Sequence, residues 1–74
     1  MMSAPDTGYR PATIISSWRE NMILVRDEVS GRKFGFELPA VKDYRGQTAE
    51  ELGLEVGKVV RIKTDGGVVT SVEL

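Results

Sequence analysis

The stretch TAEELGLEVGKVV, residues 48–60, constrains the fold of this chain more than any other. Thr48 and Glu51 stand three residues apart, the T-x-x-E spacing of a capping box, in which each side chain satisfies a backbone N–H at a helix start. Gly53 follows at once, where a left-handed residue would end the helix and let Leu54 fold back onto it. A helix here can span only residues 49–52, little more than one turn. Three β-like segments precede it and two follow it.

Those segments are read from alternation and turn chemistry. Residues 12–19 alternate, with Ala12, Ile14, Ser16 and Trp18 on one face and Thr13, Ile15, Ser17 and Arg19 on the other. Apolar residues on both faces suit a strand that bends to serve two parts of a barrel. Glu20-Asn21 is the following turn. Residues 22–27 and 32–38 predict a hairpin, its loop either Ser30-Gly31 or residues 28–31, with Gly31 supplying the positive φ. The two registers differ by two residues and so keep the same faces. Ile23, Val25, Phe34, Phe36 and Leu38 then face the core, while Met22, Leu24, Arg26, Lys33, Gly35 and Glu37 face outward. Pro39 ends the strand by removing a ladder donor, and Val41 is expected to tuck beneath the connection. Beyond the short helix, residues 59–64 and 68–74 form the last hairpin around Asp65-Gly66-Gly67.

The order of strand, strand, strand, short helix, strand, strand resembles that of the oligonucleotide/oligosaccharide-binding (OB) fold. The expectation is an all-β, five-stranded Greek-key barrel with one short helix between strands 3 and 4. An SH3-like barrel is the runner-up, and the placement of the helix favours the first. Residues 1–11, small and polar with prolines at 5 and 11, are expected to form a disordered arm, and residues 12–74 the barrel domain. Tyr9 and Arg10 have the side chains to dock on its surface.

Two narrower resemblances follow. Lys33-Phe34-Gly35-Phe36, with Trp18 near the end of the first strand, resembles the aromatic run and first-strand tryptophan of cold-shock domains, which implies aromatic stacking on single-stranded bases. Here, however, the run falls on the third strand, Lys33 replaces a glycine, and the second aromatic motif is absent. The stretch AEELGLEVGKVVRIKTDGGVVTSVEL is similar to the second half of molybdate-binding, Mop-like domains, which implies a small oxyanion as an alternative ligand. No functional residue carries over from either family.

Composition narrows the chemistry. The 74 residues include no cysteine and no histidine, so the usual general base, the commonest metal ligand and any thiolate site are missing. Ten basic and eleven acidic residues leave a net charge of −1, which rules out a strongly basic, histone-like phosphate binder. The opening MMSAPDTGYRP lacks an apolar h-region and no run is long enough to span a membrane, so the expectation is a soluble, cytoplasmic chain with no membrane partner.

Each candidate residue has a structural and a functional reading. Phe34 and Phe36 are expected in the core, because a chain with only five aromatic residues needs them there. Trp18, beside Arg19, is either a stacking ring or a plug for the barrel end. Met22, Leu24, Arg26 and Lys33 form either a ligand surface floored by Gly35 or a solvated face partly covered by the arm. Tyr44 and Arg45 form a small aromatic and basic group, with Lys42, on the connection. Arg61 and Lys63 alternate as solvated strand residues do, and extend a phosphate track if their strand abuts the groove. Glu50, Glu51, Asp27 and Glu28 have no constellation for catalysis or metal binding. The sequence therefore points to a non-enzymatic binding module without cofactors. Its expected partner is single-stranded RNA or DNA, held by Trp18, Arg19, Met22, Leu24, Arg26, Lys33, Tyr44, Arg45, Arg61 and Lys63. The alternatives are a protein partner, or self-association through the Met22 and Leu24 patch, and a Mop-like oxyanion binder.

Overall fold

The computed structural model describes residues 8–19 and 22–74, apart from the side chains of Trp18 and Arg19; residues 1–7, most of the expected arm, lie outside it. Five strands form one antiparallel sheet: β1 (Arg10–Arg19), β2 (Met22–Asp27), β3 (Lys33–Glu37), β4 (Val59–Asp65) and β5 (Val68–Glu73). Their order across the sheet is β3-β2-β1-β4-β5, and the sheet curls into a nearly closed OB-like barrel. The outermost strands meet through a parallel bridge between Val41, just beyond β3, and Val72 on β5, reinforced by Lys42 N–H donating to the Val72 carbonyl at 2.7 Å.

β1 begins at Arg10, so Arg10 and Pro11, expected in the arm, are strand residues. Pro11 costs the ladder nothing it cannot spare: it sits opposite Arg61, and its carbonyl accepts from Glu28 N–H at 3.0 Å. The strand is long enough to serve two neighbours because it bends. Its register against β2 shifts between Ile14 and Ser16 and again between Ser17 and Arg19, so Ile15 and Trp18 are extra residues, as in β-bulges. Only its first half pairs with β4, through Thr13 opposite Val59. The adjacent isoleucines follow from this bend, Ile14 being buried and Ile15 half-buried.

The β2–β3 hairpin uses the longer of the two expected loops. Asp27 N–H donates to the Arg32 carbonyl at 2.8 Å, and the register runs without a break from Arg26 opposite Lys33 to Met22 opposite Glu37. The choice is made by Asp27, whose carboxylate accepts from Val29 N–H at 2.9 Å and Ser30 Oγ at 3.0 Å, an Asx turn that organises residues 28–31. Ile23, Val25, Phe34, Phe36 and Leu38 are all buried, joined by Ala12, Ile14, Val41, Leu54, Val60, Ile62, Val69 and Val72.

Between β3 and β4 the chain makes a 3₁₀ helix at Leu38–Ala40, with Pro39 at its start. The expected helix at residues 49–52 is a single hydrogen-bonded turn. Its caps form as their residues predict: Thr48 N–H donates to Glu51 Oε1 and Glu51 N–H to Thr48 Oγ1, at 2.9 and 3.1 Å. Leu54 N–H reaches the Ala49 carbonyl and Gly53 N–H that of Glu50, the Schellman pair, with Gly53 at φ +73°. The two caps stand so close that only Leu52 N–H to the Thr48 carbonyl fits between them as a helical bond, and the turn cannot propagate.

Candidate binding face

The outer face of the β2–β3 hairpin holds Met22, Leu24 and Arg26 opposite Glu37, Gly35 and Lys33. Met22 and Leu24 are half-buried, whereas Arg26, Lys33 and Gly35 are exposed. The Met22 sulfur lies over Gly35, where an added Cβ would stand 3.4 Å from it. The patch is therefore shallow: an apolar floor with a pair of cations at one end and Glu37 at the other.

The cation pair has a definite geometry. Because Asp27 and Arg32 share a ladder hydrogen bond, alternation makes Arg26 and Lys33 a non-hydrogen-bonded pair, the closer kind of cross-strand neighbour. Like charges so placed repel. Among the described residues neither cation has an ion-pair partner; the salt bridges involve Arg10, Lys42 and Arg61 instead.

The remaining candidate residues fall elsewhere. Arg61 binds Glu73 across β4 and β5, with Lys42 at 3.7 Å from the same carboxylate. Lys63 sits 5.9 Å from the centre of the Tyr9 ring, and the Tyr9 hydroxyl is 2.7 Å from Ser71 Oγ. The docking of Tyr9 thus employs Lys63, and Glu73 employs Arg61, both of them cations that the sequence offered to a phosphate track. Tyr44 is half-buried against the core and borders a cleft of about 500 Å³ with Ser17, Gln47, Thr48, Glu50 and Glu55. The two carboxylates make that cleft a poor seat for an anion. Arg45 is exposed beside it, its N–H held by Gln47 Oε1 at 2.6 Å. Arg19 stands opposite Met22 in the ladder, and Trp18 at the adjoining register shift; their side chains lie outside the described structure.

Phe34 and Phe36 are 8% and 3% exposed, so neither ring is a stacking platform of the kind the cold-shock resemblance implies. Arg32 lies 5.8 Å from the Phe34 ring centre, covering its edge of the core.

Sequence reading passed over one charged residue that the structure singles out. Asp27 is fully buried, and the Arg10 guanidinium stands 3.0 Å from it while also donating to Thr64 Oγ1. Burial pushes the Asp27 carboxyl up. The hydrogen bonds from Val29 and Ser30 and the Arg10 charge outweigh it, and the pKa lies below the ordinary 3.8. The signal was present in Asp27-x-x-Ser30-Gly31, an acidic residue opening a glycine-closed turn.

Among the described residues no three His, Cys, Asp or Glu side chains converge on a metal-sized site, and no helix is long and apolar enough to cross a membrane. No family model matches the chain, and neither do any curated proteins or solved structures.

Proposed function

We propose that this barrel is a non-enzymatic binding module that takes single-stranded nucleic acid on the outer face of β2 and β3. The observation that carries this reading is the Arg26–Lys33 pair. Two cations in the closer kind of cross-strand pairing, with no ion-pair partner among the described residues, are relieved by an anion bridging both. A phosphodiester supplies that charge, and the flat floor of Met22, Leu24 and Gly35 accepts the sugar or base beside it. Trp18, one step from Arg19 and Met22, supplies the stacking ring. The OB-like order of the strands supports the choice of face, since strands 2 and 3 are where such barrels take their ligands.

The test is a titration of the single tryptophan's fluorescence with a mixed-sequence oligonucleotide at two salt concentrations. Binding should weaken with salt, the logarithmic slope falling by roughly 0.7 for each phosphate contact removed. Absence of any binding at low salt by the folded protein, confirmed by a second method, would end this reading.

A further inference from the structure

We infer that the free edge of β3 joins two copies of this chain through antiparallel β3–β3′ pairing centred on Gly35. This inference goes beyond the nucleic-acid reading and does not depend on it.

Three observations lead there. The first is the direction of the backbone groups. The Asp27–Arg32 hydrogen bond fixes the alternation, so Phe34 and Phe36 exchange ladder bonds with β2. The N–H and C=O groups of Lys33 and Gly35 and the N–H of Glu37 then point the other way, toward the edge, while the Glu37 carbonyl opens the 3₁₀ helix. Among the described residues β3 pairs with β2 alone, and no loop hydrogen bond reaches Lys33 or Gly35. The bridge between Val41 and Val72 closes the barrel beyond the end of β3 and leaves that edge unsatisfied.

The second is space. A cleft of about 410 Å³ runs along this edge, between Gly35, Phe36 and Glu37 on one side and Val68 and Val69 on the other. Val68 at its rim is 63% exposed.

The third is charge, and it selects the occupant. The strand reads Lys33-Phe34-Gly35-Phe36-Glu37, which is self-complementary when reversed. With a two-fold axis at Gly35, Lys33 of one copy faces Glu37 of the other, and the reciprocal pair forms across the axis. Gly35 meets its own copy, and each phenylalanine position faces the other kind. Gly35, Lys33 and Glu37 all fall in the hydrogen-bonded class of pair in this one register, so the edge N–H groups of all three reach a carbonyl or face one, and the Gly35 pair exchanges both bonds. Lys33 and Glu37 are exposed, and among the described residues neither has an ion pair, so both can meet the partner copy. Such an interface is isologous, the commonest arrangement of soluble dimers. The opposite expectation is that charges on an edge strand guard it against pairing, and experiment separates the two.

The measurement is sedimentation equilibrium of the full chain across a wide concentration range without nucleic acid. The wild type should show a monomer–dimer equilibrium. Lys33→Glu and Glu37→Lys each place like charges opposite one another twice, and each should weaken association about tenfold or more. The combined swap Lys33→Glu, Glu37→Lys restores opposite charges in the same register and should recover most of the wild-type association. Amide exchange adds a readout at the axis: Gly35 N–H should gain protection as protein concentration rises. A wild type that stays monomeric at the highest concentration would overturn the inference, as would a double swap no better than either single. The two readings fail separately, because Glu37→Lys should weaken dimers about tenfold or more while leaving oligonucleotide binding intact or stronger.

Discussion

Arg26 and Asp27 are neighbours on β2, and the chain treats their charges in opposite ways. Asp27 faces inward, is fully buried, and holds two hydrogen bonds and the Arg10 guanidinium. Arg26 faces outward beside Lys33, and among the described residues it has no ion-pair partner. The same division runs along the whole hairpin: Phe34 and Phe36 inside, Lys33 and Gly35 outside. One face of this strand pair packs into the core, while the other presents two like charges to solvent. Stability should therefore depend on the inner face and binding on the outer, and substitutions can test how cleanly the two separate.

The largest effect belongs to Phe36. Truncation to Ala removes a buried ring and should cost about 3–5 kcal/mol, enough to unfold a domain this small. Urea denaturation would measure it, and a variant that melts like the wild type would show that the inner face does not carry stability. Asp27→Asn comes next. It removes the charge that answers Arg10 and weakens the turn bonds, so a loss of about 3 kcal/mol is expected, discounted because Arg10 is partly exposed.

Asp27 also sets a pH dependence. Its folded-state pKa lies below the unfolded value of 3.8, so the unfolded chain binds protons first as pH falls. The stabilisation is complete above the unfolded value and is lost as pH drops through the lower folded-state one. Acid titration of the wild type should show this decline, and Asp27→Asn should flatten it.

The capped turn is an intermediate case. Thr48→Ala should cost about 1 kcal/mol by thermal melting, because it leaves Glu51 N–H without its cap. The smallest effect on stability is expected from Arg26→Ala with Lys33→Ala, within about 0.5 kcal/mol of wild type in either direction. That pair should nevertheless reduce the salt slope of oligonucleotide binding by roughly 0.7 per contact. A double variant that binds normally, or that unfolds, would break the division between the two faces.

How far the sequence discloses this molecule depends on range. Alternation within residues 22–38 sorts the hairpin's faces correctly, because a period of two is a local property and either loop length preserves it. The caps at Thr48, Glu51 and Gly53 are equally local. The length of that turn and the bulges at Ile15 and Trp18 were not readable. They depend on how neighbouring caps crowd one another and on how a long strand bends to reach β4. The start of β1 was hidden for a similar reason: Arg10 and Pro11 look like arm residues until Asp27, Thr64 and Glu28 are brought beside them. Among the candidate binding residues, Arg26 and Lys33 emerge as a pair because they share a hairpin. Arg61 and Lys63 have partners on β5 and near the start of the chain, which their own alternation cannot reveal.

The bridge between Val41 and Val72 has a consequence in time. β1, β2 and β3 join through short connections, and their pairings close small loops. β4 must return to β1 across the whole of residues 38–58, and the Val41–Val72 bridge spans the same connection. Loop-closure entropy sets these long-range contacts after the hairpin ones. Contacts made after the transition state do little to the rate of assembly and much to the rate of escape. The contacts that complete the barrel are thus expected to act as a catch, setting the lifetime of the folded molecule more than the speed with which it is reached.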